Sequence, residues 1–550
     1  MNATRRTFLT GAAALTTGAI IATPDIAFAA RALTATTGWE LATADVEADV
    51  APRALTLVHG RAPAGLTGSL YRNGPAKFRR PGGSAQHWFD GDGLIRRFHI
   101  EDGRASLAAR FADTAKRRQE TRLDAMLMPG FGTNADPRAE IQSADDASAA
   151  NTSVIPVGDD VWALWEGGSP MAMDGSTLAT KGLVTLRPDL KSMPFLAHPR
   201  IEPDGRIWNL GMGGGQAIVW RLSPAGELED AQVLRLPRAS YVHDFTATAR
   251  HLVVVLQPWV KVRDTLPFAA GFAWRPDAGT QVLVVDKADL TKTRVFDLPT
   301  FGFFHLGDAW EEADGTIRFD VCAHRDMSFA ATGAHEILNG VPLGGDPAEL
   351  ALAVLTPDGK GRLDRTGVVA EFPKGDPRRA GERRRYSLHT TGDTKGRPLA
   401  DAIAVTDWET GRTRSFTFGM DHVVDEMVYV PKAGATAEAD AWLVGPSINL
   451  KAGVTELHVL DLARIEDGPV ATWRADVALP AAFHPDRTAA TCDEQPFRRA
   501  DPVHHRRRGR DPRQPVHRPH PIRRLDLPRR PPPLHSLLRP RLAPLALGHL

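Results

Sequence analysis

The sequence predicts an all-β fold of the β-propeller class. Three observations lead to this prediction: many short runs rich in β-branched residues, Asp-Gly pairs between those runs, and few segments with a helical period. So many hairpins over roughly 450 residues favour a propeller, which grows by repetition, over a sandwich of two sheets. No clean repeat motif marks where one blade ends and the next begins.

The predicted strands are short and largely apolar. The clearest examples are residues 206–210, 217–220, 251–256, 281–285 and 316–321. Asp-Gly pairs supply the positive φ angles of tight hairpin turns, and such pairs recur in the body of the chain. Five of them, at 92–93, 102–103, 204–205, 314–315 and 358–359, separate predicted strands. Helices are predicted only over residues 113–126 and 346–354.

Composition permits a large core and excludes some classes of partner. The 550 residues are 42% hydrophobic and 24% charged, as in ordinary globular proteins. A formal net charge of +1 gives no reason to expect nucleic acid as a partner. The only cysteines are Cys322 and Cys492, so the chain has no disulfide framework.

The N-terminus has the pattern of an export signal. Arg5 and Arg6 form a twin-arginine pair, an apolar Ala- and Gly-rich run follows at 11–21, and Ala27-Phe28-Ala29 resembles a cleavage site. The apolar run is too short for a permanent membrane anchor. We therefore predict a twin-arginine signal peptide over residues 1–29, use of the twin-arginine export machinery, and a periplasmic or secreted protein.

The C-terminus changes composition abruptly. Residues 486–550 are rich in Arg, Pro and His and contain no lysine, and no strand or helix period is visible. Three interpretations compete: a disordered basic tail, a metal-binding His tract, or the product of a shifted reading frame. The abrupt compositional change favours the shifted frame. We therefore take residues 30–485 as the propeller and 486–550 as an Arg/Pro-rich, disordered tail.

Four histidines of the body share an apolar setting. His305 lies in the segment TFGFFHLGDAWEE, where a buried ring needs a partner for its nitrogens. The simplest interpretation is a core histidine bonded to a backbone carbonyl. His198, His243 and His484, however, also follow apolar or aromatic residues. Inner strands of different propeller blades meet at one axis, so distant histidines can meet around one ion. The residues alone do not identify that ion, since zinc, for example, accepts four histidines.

Several motifs resemble those of the carotenoid cleavage oxygenase family, which includes apocarotenoid- and stilbene-cleaving enzymes. The most specific pair is GSLYRNGP at 68–75 with HWFDGDG at 87–93. Further matches are Ala-His-Pro at 197–199, His-Asp-Phe at 243–245, Phe-His at 304–305 with Ala-Trp-Glu at 309–311, FAWRP at 272–276, and Phe-His at 483–484. The resemblance covers residues 40–484.

This resemblance implies a seven-bladed propeller with a helical and loop dome over an axial metal site. It implies a mononuclear non-haem Fe(II) held by four histidines, with three glutamates that accept the far N–H groups of ligand histidines. By position the ligands are His198, His243, His305 and His484, and the glutamates are Glu166, Glu371 and Glu426. No other catalytic side chain is implied. The chain departs from the family at Gly307-Asp308, where Asn is usual, and at Pro485, where Gly is common.

The implied activity is cleavage of a C=C bond of a carotenoid, apocarotenoid or related apolar substrate with O₂, giving two carbonyl products. Stilbene-cleaving members carry a tyrosine near the position of Phe111, which favours an apocarotenoid over a hydroxystilbene. The alternatives are a lignostilbene-type dioxygenase, an isomerase or lyase on the same iron site, and an inactive propeller binding protein. Two further expectations are peripheral membrane contact through the apolar segment 266–272 and a solvated loop at Arg383-Arg384-Arg385.

Overall fold

Seven antiparallel sheets of four to six strands form the blades of a β-propeller. The computed structural model describes residues 39–341, 346–392 and 399–488. All of these residues belong to one compact unit. The predicted fold class is therefore confirmed, and the number of blades agrees with the resemblance.

The blades are numbered in chain order, and the strands of each blade are given from the axis outwards. Blade 1 contains Pro485–Thr488, Gly68–Pro75, Gly93–Glu101, Arg104–Phe111 and Val50–Ala54. Blade 2 contains Ser153–Val157, Asp160–Leu164, Met171–Asp174 and Thr180–Leu183. Blade 3 contains Arg200–Ile201, Ile207–Gly213, Gln216–Leu222 and Leu228–Arg235. Blade 4 contains Thr246–Ala247, His251–Leu256, Thr280–Asp286 and Thr293–Leu298.

The remaining three blades complete the ring. Blade 5 contains Gly302–Glu311, Ile317–His324, Glu349–Leu355 and Gly361–Val369. Blade 6 contains Glu371–Lys374, Tyr386–Thr391, Ala402–Asp407 and Thr413–Thr417. Blade 7 contains His422–Val424, Ala441–Asn449, Val454–Asp461, Pro469–Arg474 and Thr56–Gly60, and Val428–Pro431 also pairs with Ala441–Asn449.

Both ends of the body close the ring between blades 1 and 7. Near the N-terminus, Thr56–Gly60 pairs with Pro469–Arg474 in blade 7. Near the C-terminus, Pro485–Thr488 pairs with Gly68–Pro75 in blade 1. The hydrophobic core lies between neighbouring blades; for example, Val253 of blade 4 shares a cluster with Phe319 of blade 5. Closure matters for the site because it places His484 at the axis.

Short helices and two small hairpins connect the blades. The α-helices are Ala115–Leu123 and Ala334–Leu338, and a π-helix at Phe329–Gly333 precedes the second. The 3₁₀ turns are Trp39–Thr43, Trp88–Asp90, Ala144–Ala147, Pro188–Leu190, Phe268–Gly271, Pro276–Ala278, Pro377–Arg379 and Leu462–Asp467. The hairpins pair Arg79–Arg80 with Gly83–Ser84, and Trp259–Lys261 with Phe272–Trp274. In the described residues, no helix is both long and apolar enough to cross a membrane.

One predicted helix is confirmed and the other is wrong. Ala115–Leu123 begins after Thr114, whose hydroxyl accepts the N–H of Arg117, and Asp124 ends it in the left-handed region. Residues 349–355, in contrast, form a strand in the middle of blade 5. Leu and Ala favour helices, but this run has no 3.6-residue period and is buried on both faces of the sheet, so tertiary packing overrides its propensity.

Four of these five Asp-Gly pairs form the expected turns between paired strands. At 102–103 both residues have positive φ, +48° and +73°, and the pair joins two strands of blade 1 in a tight hairpin. Gly205, Gly315 and Gly359 also have positive φ between paired strands. The pair at 92–93 makes no hairpin turn, because Gly93 begins a strand and the Asp92 carboxylate binds Lys116 and Arg80.

The chain ends were assigned from sequence alone. The predicted signal peptide, residues 1–29, lies outside the described residues, and so does the predicted tail from residue 489 onwards. Asp486 to Thr488 form part of a strand, whereas no strand period is visible there in the sequence. The inner edge of Gly68–Pro75 offers backbone hydrogen bonds to any extended segment, which explains this pairing.

Candidate metal centre

The four predicted ligand histidines lie together at the propeller axis. Their candidate ligand atoms all lie within 4.8 Å of one another. The Nε2 atoms of His198 and His243 are 3.0 Å apart, and the ring centroids of His198 and His484 are 4.3 Å apart. The ring of His305 lies 4.7 Å from that of His484. The structure thus brings together four residues that span nearly 300 positions of the chain (198 to 484).

Each histidine is placed by the inner strand of its blade. His198 and His243 come shortly before Arg200–Ile201 and Thr246–Ala247, and His484 directly precedes Pro485–Thr488. His305 is inside Gly302–Glu311, where the register with the next strand shifts between Phe303 and Leu306 and again before Ala309. Such irregular pairing re-aims a side chain out of the sheet plane, and here it turns a strand residue toward the axis.

Residues far upstream hold the backbone around His484. The N–H of Phe483 bonds to the carbonyl of Asn73 (2.8 Å), and the N–H of Asn73 bonds to the carbonyl of His484 (3.2 Å). The fully buried guanidinium of Arg72 donates to the carbonyls of Phe483 (2.9 Å) and Glu426. The YRNGP part of the first family motif therefore supports the fourth histidine.

Three glutamates bind the outer nitrogens of three of these histidines. Glu371 Oε2 lies 2.6 Å from His305 Nδ1, and Glu426 Oε2 lies 2.9 Å from His484 Nδ1. Glu166 Oε1 contacts His243 Nδ1 at short range. Each carboxylate accepts the Nδ1–H of its histidine, which fixes the tautomer and leaves Nε2 as the nitrogen available to a metal.

Burial and the carboxylates oppose each other in setting the protonation of the site. Burial lowers the pKa of His484 to about 3 although Glu426 raises it, and burial with the neighbouring rings lowers the pKa of His198 well below its usual range. Burial would likewise lower the pKa of His243, but Glu166 outweighs it and raises that pKa. Burial would raise the pKa of Glu426, but Lys374 and His484 lower it to about 2.

The donor set fits a divalent transition metal. Neutral imidazole nitrogens in a buried, closely spaced group suit Fe(II) or Zn(II), and the second-layer carboxylates strengthen them as donors. The Nε2 atoms of His198 and His243 lie 3.0 Å apart, close enough for both to bind one cation. The geometry is thus compatible with the predicted metal site, while the ligand roles stay a prediction.

Aromatic side chains surround the histidines on the side of the connecting segments. Phe304 lies 5.5 Å from His243 and 5.8 Å from Phe89, centroid to centroid. Phe89 also packs edge-on against Phe483 at 5.4 Å. Tyr241, Trp259 and Phe329 belong to the same cluster. These rings provide an apolar environment next to the histidines and exclude water from them.

Phe372 adopts an unusual backbone conformation at the centre. Its φ is +59°, a region that bulky residues avoid, and it directly follows Glu371. The ring of Phe372 lies 4.6 Å from that of His305 and 5.3 Å from that of His484. The left-handed conformation therefore allows Glu371 to bind His305 while the next residue, Phe372, packs against His305 and His484.

Phe111 does not lie at the site, so it does not support the predicted preference for an apocarotenoid. Phe111 is 4% exposed and packs in the core of blades 1 and 7, with the Arg117 guanidinium 3.7 Å from its ring centroid. It is therefore not among the aromatic residues that surround the histidines. Phe131, 4.9 Å from His87 and 5.6 Å from Tyr241, occupies that region instead. Phe111 provides no information about the substrate.

Sequence reasoning missed a further layer of residues behind the glutamates. His324 Nε2 lies 2.6 Å from Glu371 Oε1, and Lys374 Nζ lies 2.8 Å from Glu426 Oε1. The hydroxyl of Tyr241 lies 3.2 Å from Glu166 Oε2. Tyr241 could have been found from its position two residues before His243, because alternate residues share a face of an extended chain. No local pattern distinguishes His324 or Lys374.

Fold and site together define a β-propeller enzyme with a four-histidine group, compatible with a metal ion, on its axis. The model of the family described as RPE65, retinal pigment epithelial membrane protein, matches residues 43–485. The chain belongs to this family, the carotenoid cleavage oxygenases, and is an enzyme of that type. The resemblance seen in the motifs is thereby confirmed.

Similar proteins differ in the substrates that their names state. The chain is 28% identical to an apocarotenoid-15,15'-oxygenase of Synechocystis over 78% of its length and 91% of the relative's. It is 26% identical to a lignostilbene-α,β-dioxygenase of Sphingomonas paucimobilis, covering 78% and 92% of the two chains. The solved structure of cobalt-substituted Synechocystis apocarotenoid oxygenase matches with a TM-score of 0.72 and 25% identity, covering 82% and 98%.

Proposed function

We propose that this chain is a non-haem Fe(II) dioxygenase that cleaves a C=C bond of a conjugated, apolar substrate. One O₂ molecule would be consumed, and each carbon of the cleaved bond would leave as a carbonyl. The observation that carries this proposal is the convergence of four histidines, three of them bound to carboxylates, beside an aromatic cluster.

The residues of the chain have distinct parts in this proposal. His198, His243, His305 and His484 would hold the ion, which when bound supplies the redox chemistry that activates O₂. Glu166, Glu371 and Glu426 orient the imidazoles and fix their tautomer by accepting Nδ1–H. Phe89, Phe304 and their aromatic neighbours would hold the double bond near the ion and exclude water.

Phe268 supports an entry route for an apolar substrate. Its side chain is 41% exposed, and its ring lies 5.9 Å from Phe131 and 6.2 Å from Tyr241. Tyr241 in turn lies 6.3 Å from His243. A continuous series of aromatic rings thus extends from the surface to the histidines, which suits a long apolar molecule.

The substrate class is open between a polyene and a stilbene, because Phe111 does not reach the site. Relatives are named for both, including a resveratrol cleavage oxygenase from Aspergillus fumigatus. An apocarotenal and resveratrol are therefore the two probes with which to begin.

Labelled oxygen tests the proposed reaction. Iron-loaded protein is incubated with each probe under ¹⁸O₂, and the carbonyl products are reduced at once so that they do not exchange with water. Both product fragments are expected to carry ¹⁸O, because both oxygen atoms enter the cleaved bond. An isomer without label would instead indicate an isomerase. No product from protein with a full complement of iron would favour the propeller binding protein.

We propose in addition that the mature protein is exported and contacts membranes peripherally. The twin-arginine pattern of residues 5–6 supports export. Leu266 and Phe268, 49% and 41% exposed, support membrane contact at the entry route.

Cell fractionation and liposome flotation test these two points. The full chain is expected in the periplasm or medium, and Arg5→Lys with Arg6→Lys is expected to retain it in the cytoplasm. Mature protein is expected to float with liposomes, and Leu266→Ser with Phe268→Ser to float less. Cytoplasmic wild-type protein would refute export, and wild-type protein that stays unbound would refute membrane contact.

A further inference from the structure

The two glutamates on blades 6 and 7 each use their two oxygens for different partners. In Glu371, Oε2 contacts His305 Nδ1 and Oε1 contacts His324 Nε2, both at 2.6 Å. In Glu426, Oε2 contacts His484 Nδ1 at 2.9 Å and Oε1 pairs with Lys374 Nζ at 2.8 Å. Each carboxylate is thus held from the side opposite its histidine.

The outer partners also connect successive blades around the axis. His324 ends the second strand of blade 5 and reaches Glu371, the first residue of blade 6. Lys374 ends that first strand of blade 6 and reaches Glu426 in blade 7. The same Lys374 ammonium donates to the carbonyl of Pro485, which directly follows His484, at 3.1 Å. Lys374 therefore contacts both the carboxylate and the backbone that position the fourth histidine.

Burial and packing make these outer contacts specific. His324 is held between the rings of Phe304, edge-on at 5.9 Å, and Phe329, stacked at 6.4 Å. The side chains of His324 and Glu426 are 12% and 2% exposed. A carboxylate with one partner turns readily about its last torsion, because that torsion has a broad profile. A second partner on the other oxygen removes this freedom.

We infer that His324 and Lys374 are positioning residues of the metal centre, which orient His305 and His484 through Glu371 and Glu426. The inference rests on the proposed function in that it assumes a metal at the four histidines. Neither residue contacts the ion or the substrate in this role. Losing either one frees a carboxylate to rotate, and the histidine behind it then loses its fixed tautomer and ring orientation.

Lys374 and His324 differ in the kind of contact that they make with their glutamates. Lys374 is a cation and neutralises Glu426, whereas His324 meets Glu371 through a ring nitrogen. The replacement of Lys374 by methionine therefore removes a charge as well as a contact, and Lys374→Arg restores both. For His324, alanine removes the contact, and glutamine restores an N–H that can reach Glu371 Oε1.

Cobalt binding tests the inference without turnover. Metal-free full-length protein is titrated with Co(II) against a chelator, and the visible ligand-field spectrum is recorded. His324→Ala and Lys374→Met are each expected to weaken Co(II) binding by about 10- to 100-fold and to change the spectrum. His324→Gln and Lys374→Arg are expected to recover most of the affinity and the wild-type spectrum.

Two matched variants control for general effects of removing a His–Glu or Lys–Asp pair. His251, 3.3 Å from Glu311, lies away from the axis in blade 4, and Lys432, 2.9 Å from Asp461, follows a strand of blade 7. His251→Ala and Lys432→Met are expected to leave Co(II) affinity and the spectrum unchanged.

Several results would overturn the inference. It is wrong if His324→Ala and Lys374→Met bind Co(II) as the wild type does, or if they lose stability in urea with an unaltered spectrum. It is also wrong if the glutamine and arginine variants fail to recover binding although they fold. Wild-type protein that binds no Co(II) overturns both this inference and the proposed function, whereas cobalt binding without labelled products overturns the proposed function alone.

Discussion

Replacing His305 with alanine is expected to abolish stoichiometric metal binding and cleavage activity. The imidazole is one of four candidate ligands, and its ring contacts those of His198, His243 and His484. Its loss also leaves Glu371 Oε2 without its histidine partner in a buried site. Loss of a second-layer partner costs about 10- to 100-fold in metal affinity, so loss of a ligand is expected to cost at least about 100-fold.

Metal analysis of purified protein measures this effect directly. Wild-type protein is expected to contain close to one iron per chain, and the His305→Ala protein almost none. His99→Ala is a suitable control, because His99 bonds to Ser69 in blade 1 rather than to the four histidines, and it is 29% exposed. Equal iron in the His305→Ala and wild-type proteins would show that the four histidines do not form the metal site.

Replacing Arg72 with methionine is expected to destabilise the fold and weaken the site together. Arg72 is fully buried, donates to the carbonyls of Phe483 and Glu426, and lies 3.5 Å from Asp425. Removing one partner of a buried ion pair costs about 3–5 kcal/mol, because the other charge is left uncompensated. The two carbonyls adjoin His484 and the Glu426 side chain, so metal affinity is expected to fall as well.

Urea unfolding of the metal-free protein measures the effect of Arg72→Met on the stability of the fold, separately from its effect on metal affinity. The free energy of unfolding is expected to fall by about 3–5 kcal/mol. Arg97→Met is the control: Arg97 lies on the neighbouring strand, is half-buried and donates to the Ser69 hydroxyl. Its loss is expected to cost about 1 kcal/mol or less. If Arg72→Met costs no more than the control, the buried guanidinium does not hold the ring closure as described.

The sequence contained enough local information for the fold class and for most candidate site residues. Strands at 251–256 and 281–285 were recognisable because short β-branched apolar runs between turns are typical of β-strands. His305 was recognisable because a histidine among phenylalanines needs a partner for its nitrogens. The glutamates needed the family motifs, since an isolated Glu is usually a surface residue.

Contacts between distant segments were not recognisable in the same way. Arg384, expected in a solvated loop, is 3% exposed and pairs with the buried carboxylate of Asp320. Residues 349–355 resembled a helix because burial on both faces of a sheet erases the alternation that marks a strand. Phe111 was placed near the substrate by its position in the chain, whereas its strand directs it into a core between blades.

The sequence by itself determined that this protein is an all-β oxygenase of the carotenoid cleavage family with His198, His243, His305 and His484 as candidate ligands. These properties follow from local patterns and motifs, which can be read from neighbouring residues without knowledge of the tertiary structure. Only the tertiary structure decided that His324 and Lys374 stand behind Glu371 and Glu426, and that Arg72 holds the backbone beside His484. The physical reason is that these contacts join different blades, and the closure of the ring sets their distances.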